Sequence, residues 1–328
     1  MKMLILNQTQ VEQLLTMPEC IAVMEEALSS LARGEMHQPL RTVVHPPGAA
    51  GVIAMMPAYK SGDGAIFGLK AICVFPGNPK QGKDSHQGGV LLFSGETGEP
   101  LAMMNASAIT AIRTAAVSAV ATRKLAREDA GELAIIGAGV QARTHLAAIS
   151  CVRSIKRARV VSRNPDHARE LVSEMQRSFD FPLTAVDDNR EAVAGADIIV
   201  TVTTSLEPVV RREWLAPGTH INAIGTYSPR AREIDSATMV AATLFVDRRE
   251  SALNEAGDYL LAAQEGVIGP DHIRAELGEV LIGAARGRTS SEEITLFKSL
   301  GIAIEDLAAA AYVFQKAQQQ DVGAWVEF

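Results

Sequence analysis

Gly137-Ala138-Gly139-Val140-Gln141-Ala142 is a Gly-x-Gly-x-x-Ala run that directly follows the apolar residues 133–136 and opens a segment of helical periodicity. In that setting the first glycine permits a tight turn and the second lets a pyrophosphate approach the backbone. The small sixth residue lets helix and strand pack closely, and the helix N-terminus faces the phosphates. The chemistry indicated is dinucleotide binding. A ligand-free strand-to-helix turn is the alternative, and the strand–helix rhythm that follows disfavours it.

The next strand, 158–161, ends in Ser162-Arg163-Asn164. An NAD site places Asp or Glu there to hold the adenosine ribose, whereas a guanidinium can pair with the 2′-phosphate of NADPH. Ser162 and Arg163 therefore favour NADPH, with NADH accepted more weakly because Asp166 stands close by. Asn164-Pro165 also reads as an N-cap followed by a first helical proline, so Asn164 can serve the helix instead of the cofactor.

Cations in apolar settings form the second group. Lys70 lies inside the apolar stretch 67–75, and Arg41 begins a β-rich run. A buried cation needs a counter-charge, and either an internal carboxylate or a bound anion satisfies it. Arg113 sits in an Ala-rich helix with no other charge until Arg123, which makes it a candidate phosphate ligand or else a capping or surface charge. His86, between Ser85 and Gln87, taken alone reads as a loop histidine. Seven scattered histidines with no HExxH and no paired cysteines predict no metal site.

The elements that must hold these residues follow two rhythms. Thr16-Met17-Pro18-Glu19 has capping-box spacing, and Ile21, Met24, Leu28 and Leu31 recur at helical intervals up to Gly34. From 41 to 101 short β-rich runs (41–44, 52–56, 67–75, 89–93) alternate with Gly and Pro, and Gly95-Glu96-Thr97-Gly98 reads as a hairpin turn before 101–104. The Ala-rich residues 106–125 predict a long, closely packed helix. From Glu132 onward strands alternate with helices, which predicts a parallel sheet covered on both faces, and 302–319 closes the chain as an amphipathic helix. Met55-Met56 and Met103-Met104 read as core filling.

Composition sets the outer bounds. At about 100–200 residues per domain, the 328 residues predict two domains. The formal charge is −7 with no run of five like charges, so neither nucleic acid nor an anionic membrane is an expected partner. No apolar run approaches membrane-helix length, and the hydrophobic start is too short for a signal peptide. Cys20, Cys73 and Cys151 stand apart without disulfide spacing, which predicts a reducing cytoplasm.

Beyond these readings, the chain resembles the ornithine cyclodeaminase/mu-crystallin family, and within it the ketimine reductase branch. The resemblance is carried by Gln38-Pro39-Leu40-Arg41-Thr42-Val43-Val44, Met56-Pro57-Ala58-Tyr59, Ser85-His86-Gln87, Ile109-Thr110-Ala111-Ile112-Arg113-Thr114-Ala115-Ala116 and the glycine turn. It continues through Gly195-Ala196-Asp197-Ile198, His220-Ile221-Asn222-Ala223-Ile224-Gly225 and Phe297-Lys298-Ser299-Leu300-Gly301, in order over nearly the whole chain. It implies an α/β fold in which a Rossmann dinucleotide-binding domain (121–302) is inserted in an α+β dimerisation and substrate domain (1–120 with 303–328), with substrate between them and a homodimeric assembly. It implies that Arg41 and Lys70 act on the substrate carboxylate and that Arg113 and Thr114 meet the cofactor phosphates and ribose. Gly137, Gly139, Val140, Gln141, His86, Thr203, Ile224 and Ser299 would line the dinucleotide beside Ser162, Arg163 and Asn164. Glu255 resembles a pocket residue of the mu-crystallin branch.

Two departures separate the chain from the cyclodeaminases. Tyr227 stands where those enzymes carry an acid/base Asp, and Ala54 where they carry a Glu that holds the side-chain amine of ornithine. Without these carboxylates the expectation is NADPH-dependent reduction of small cyclic imino acids, Δ1-piperideine-2-carboxylate or Δ1-pyrroline-2-carboxylate, to L-pipecolate or L-proline. Cyclodeamination, alanine-dehydrogenase-like reductive amination and a non-catalytic mu-crystallin-like binder are the rivals.

Overall fold

A computed structural model describes residues 2–328, the side chains of Pro79 and Lys80 apart. The chain forms two compact units, Met1–Thr114 with Gly301–Phe328, and Ala115–Leu300. Among the described residues no helix is long and apolar enough to cross a membrane.

The first unit is built on a mixed sheet in the order Ala324–Glu327, Lys2–Leu6, Pro100–Asn105, His86–Ser94, Ile66–Val74, Val52–Lys60, Met36–His37, with Thr42–Val44 also on Val52–Lys60. Arg41 thus lies just outside the strand it was expected to begin. Strand Lys2–Leu6 runs parallel to Pro100–Asn105 and antiparallel to Ala324–Glu327. Pro57 falls between the stretches of Val52–Lys60 that pair with Thr42–Val44 and with Met36–His37, so on that edge no strand asks for a backbone N–H there. The hairpin turn forms at 95–98, with the Gly98 N–H donating to the Ser94 carbonyl at 3.0 Å and Gly98 at φ +74°.

Side-chain alternation along Ile66–Val74 sends Ile66, Gly68, Lys70 and Ile72 to the covered face. There the helix Ala303–Gln320 lies so close that a Cβ on Gly68 would stand 2.7 Å from Leu307 Cδ1. Helix Met17–Ala32 starts at the expected capping box, in which Glu19 also takes the Lys316 ammonium at 2.7 and 2.8 Å.

The second unit is an eight-stranded parallel sheet. Its order is Leu183–Ala185, Arg157–Val161, Glu132–Ile136, Ile198–Thr201, His220–Ala223, Thr295–Lys298, Thr243–Val246, Ile273–Glu276. Its central strands are rich in apolar residues because both faces are covered: Leu133, Ile135, Ile198 and Val200 enter one core, and Ala134, Ile136, Ile199 and Ile221 the other. The helix that Asn164-Pro165 announces ends at Met175 and tightens into a short 3-10 turn, Gln176–Ser178. Strands Lys2–Leu6, Met36–His37, Ile273–Glu276, Thr295–Lys298 and Ala324–Glu327 and helices Gln8–Leu14, Ser236–Ala241, Arg249–Glu255, Gly257–Gln264 and Leu277–Leu281 are present without a sequence signal that singles them out.

Candidate functional site

In the second unit the glycine turn has the geometry that phosphate binding requires. Gly137 sits at φ +120°, and a Cβ there would meet the Val202 carbonyl at 2.7 Å, so a side chain is excluded on both counts. Gly139 is the N-cap of helix Val140–Ser150 and faces open space, with nothing within 4 Å of where its Cβ would be. A pyrophosphate can reach the first-turn amides there without displacing a side chain. Ala142, fully buried, brings the helix against the sheet. Arg143 braces the turn by donating to the Ala138 carbonyl at 3.0 Å while pairing with Glu174 at 2.6 Å. The turn therefore fits a dinucleotide.

At the end of strand Arg157–Val161, Arg163 is exposed, and among the described residues no carboxylate pairs with it. Asn164 accepts the Asp166 N–H at 3.1 Å as N-cap of helix Pro165–Met175, so its carbonyl oxygen is engaged by the helix. Asp166 itself pairs with Arg169 at 3.0 Å.

Thr203, Ile224 and Ser299 lie at or just beyond the C-terminal ends of neighbouring strands, the edge at which open α/β sheets bind ligands. The Thr203 hydroxyl has internal partners on both sides, donating to Glu233 at 2.7 Å and accepting the Ser205 N–H at 3.1 Å. Tyr227 is 46% exposed just past Thr226, and Glu255 is half-buried at the end of helix Arg249–Glu255.

In the first unit the cations gather. The Lys70 ammonium, 4% exposed, lies 3.1 and 3.2 Å from the two oxygens of Asp306, itself 1% exposed. Arg113 donates from Nε to Asp306 Oδ1 at 3.0 Å and from Nη1 to Glu305 Oε2 at 2.5 Å. Arg41 donates to the Gly301 carbonyl at 3.0 Å, and a Cβ on Gly301 would stand 2.6 Å from Arg113 Nη1. Of the two alternatives open for Lys70, the structure shows the internal carboxylate, which Lys70 shares with Arg113.

Burial pushes the Lys70 ammonium down to about 8, with Asp306 opposing and Arg113 and Arg41 adding. Against the cost of burial, Arg113 and Lys70 hold the Asp306 carboxyl below its ordinary value. His86 lies near this cluster; burial and the Lys70 charge lower its imidazole pKa, and Nδ1 meets the Ser85 hydroxyl at 2.9 Å. Arg113, read from the sequence as a phosphate ligand, stands in this structure beside Lys70. Glu305 and Asp306 were not singled out from the sequence, because two acids in the first turn of a helix are sufficiently explained by the helix dipole. Among the described residues no group of His, Cys, Asp and Glu could hold a metal ion.

The comparisons with known proteins agree with this geometry. The model of the ornithine cyclodeaminase/mu-crystallin family matches residues 1–321. Ketimine reductase mu-crystallin of Mus musculus is 41% identical over 297 residues, 90% of each chain. The structure of Thermococcus litoralis Delta(1)-pyrroline-2-carboxylate reductase in complex with NADH and L-proline superimposes with a TM-score of 0.95 at 42% identity, covering 98% of this chain and 99% of that one. An archaeal alanine dehydrogenase dimer with bound NAD superimposes with a TM-score of 0.94 at 36% identity over the full length of both chains. With its Rossmann-type sheet, its glycine turn and a family match over nearly its whole length, this chain belongs to the ornithine cyclodeaminase/mu-crystallin family.

Proposed function

We propose that this chain is an NADPH-dependent reductase of small cyclic ketimine carboxylates, converting Δ1-pyrroline-2-carboxylate or Δ1-piperideine-2-carboxylate to L-proline or L-pipecolate. The observation that carries the reading is the gathering of three cationic side chains, with the Lys70 ammonium and the Arg113 guanidinium buried on one Asp306 carboxylate and Arg41 donating to the nearby Gly301 carbonyl, residue types suited to holding a substrate carboxylate. When bound, the nicotinamide supplies the hydride. Arg41 and Lys70 hold the substrate carboxylate, and Arg113, through Asp306, joins them in fixing its position. Holding a rigid cyclic substrate by its carboxylate confers orientation, which with electrostatics accounts for most of the acceleration. A cyclic iminium takes its proton from solvent, so the absence of carboxylates at Ala54 and Tyr227 is no obstacle to reduction, although it is to handling a diamine.

Arg163 favours NADPH over NADH by offering an exposed guanidinium to the 2′-phosphate, while Gly137, Gly139, Val140 and Gln141 form the phosphate turn. His86, Thr114, Ser162, Asn164, Thr203, Ile224 and Ser299 remain the proposed lining of the dinucleotide, and Tyr227 and Glu255 that of the substrate pocket. A homodimer is part of this reading, supported by the dimeric archaeal alanine dehydrogenase of the same fold. So is a cytoplasmic location, supported by three free cysteines.

The test follows NADPH oxidation with each cyclic imine, with pyruvate plus ammonia, and NAD reduction with ornithine. Turnover confined to the imines is the expected result. Turnover confined to pyruvate plus ammonia or to ornithine would replace the assignment, and none with any of them would favour the binder.

A further inference from the structure

We propose that Glu233 is a positioning residue for the nicotinamide-side half of the dinucleotide cleft, holding the exits of two neighbouring strands at a fixed separation through one buried carboxylate. The proposal rests on the dinucleotide reading and assigns a role to a residue that takes no part in the chemistry above.

The carboxylate is fully buried and collects four donors. Oε2 accepts the Thr201 hydroxyl at 2.8 Å and the Gly225 N–H at 2.7 Å, and Oε1 accepts both the N–H and the hydroxyl of Thr203 at 2.7 Å. Thr201 ends strand Ile198–Thr201, Thr203 lies two residues beyond it, and Gly225 lies two residues beyond strand His220–Ala223. A single side chain thus ties the C-terminal exits of both strands. They approach so closely that a Cβ on Gly225 would stand 2.2 Å from the Thr203 carbonyl oxygen and 2.6 Å from Glu233 Oε1.

The support is itself supported. Asp258 accepts the Glu233 and Ile234 N–H groups at 2.7 and 3.0 Å and the Thr226 hydroxyl at 3.1 Å, and it pairs with Lys298 at 2.9 Å. Lys298 ends the next strand, Thr295–Lys298, and donates to the Thr226 carbonyl at 2.7 Å. Glu233, whose carboxyl burial pushes up against the pull of Lys298, and Asp258 bring two carboxyl groups and Lys298 one ammonium into a buried region. Such a group is a poor way to gain stability, since apolar residues of the same volume often do as well or better. Its directed hydrogen bonds instead fix backbone positions.

The strand order says which half of the cleft is affected. From Glu132–Ile136 the chain passes to Arg157–Val161 on one side and to Ile198–Thr201 and His220–Ala223 on the other. In doubly wound sheets the first side takes the adenosine half and the second the nicotinamide half. The four donors to Glu233 all lie on the second side.

Glu233→Gln keeps the shape but offers one acceptor oxygen and turns an NH2 toward donors. Calorimetric titration of the full chain with NADPH and with its adenosine-side fragment, adenosine 2′,5′-bisphosphate, separates positioning from general damage. The expected result is an NADPH affinity about tenfold weaker or worse, with the fragment changed less than about twofold, as for loss of charged hydrogen bonds on one side only. Equal losses for the two ligands, or no loss for either, would overturn the proposal. Should Glu233→Gln fail to fold, Thr201→Val removes one donor while leaving the carboxylate, and a smaller loss for NADPH alone is expected. A parent protein that binds neither ligand would defeat the dinucleotide reading itself.

Discussion

The Lys70 ammonium lies 3.1 Å from Asp306 Oδ1, the same oxygen that takes the Arg113 Nε–H at 3.0 Å. One buried carboxylate therefore sets the position of two cations that come from a strand and a helix. Its removal and the removal of one of its cations have different consequences.

Asp306→Asn leaves Lys70 and Arg113 buried with one carboxylate fewer, and breaking a buried ion pair in this way costs about 3–5 kcal/mol. Lys70→Met leaves Asp306 paired with Arg113 and is expected to cost less stability while weakening the imine carboxylate. Denaturant unfolding of both variants, with KM for the imine, checks the order. Greater destabilisation by Lys70→Met would mean that the ammonium is chiefly structural.

The depressed pKa of Lys70 fixes the sign of two pH effects. Between about 8 and the ordinary lysine value of 10.5 the unfolded chain binds more protons at this group than the folded chain does. The stability penalty of burying the ammonium is therefore present below pH 8 and relieved as pH rises through that window. Anion binding moves the opposite way, because the charge that attracts the carboxylate is lost. KM for the imine is expected to climb above about pH 8, separately from any fall in kcat set by the imine's own protonation. A flat KM up to pH 10 in steady-state assays would remove Lys70 from the clamp.

Cofactor choice is expected to hinge on Arg163. Arg163→Ala should weaken NADPH by about tenfold or more, the scale of a charged phosphate contact, and leave NADH nearly unchanged. Binding titrations with both cofactors decide it, and equal loss would assign the 2′-phosphate to another residue.

Tyr227, nearly half exposed, is proposed to line the substrate pocket, and the resemblance to the cyclodeaminases sets it against their acid/base carboxylate. Tyr227→Phe is expected to keep much of the reductase activity, and the parent to release no appreciable ammonia from ornithine with NAD. If Tyr227→Phe loses nearly all turnover with imine affinity intact, the phenol is the proton donor.

Local chemistry was legible in the residue order. The glycine turn, the Thr16–Glu19 capping box, the Asn164 N-cap and the 95–98 hairpin each involve groups a few residues apart, so spacing and residue type suffice to specify them. The alternation of apolar strands and helices after Glu132 announced the parallel sheet for the same reason. The need of Lys70 for a counter-charge was likewise evident, because its apolar neighbours admit no water.

The identity of that counter-charge was decided by tertiary structure. Asp306 is 236 residues away from Lys70 in the chain. Only the packing of helix Ala303–Gln320 against the covered face of strand Ile66–Val74 brings them together. Strand Lys2–Leu6, a short apolar run without turn signals, becomes a strand because Pro100–Asn105 and Ala324–Glu327 supply its hydrogen bonds. Glu233 carries no motif and stands among Arg230, Arg232 and Asp235. Its carboxylate acquires meaning only where two strand ends deliver four donors to one point, since hydrogen bonds depend on distance and direction in space, which residue order records only for near neighbours.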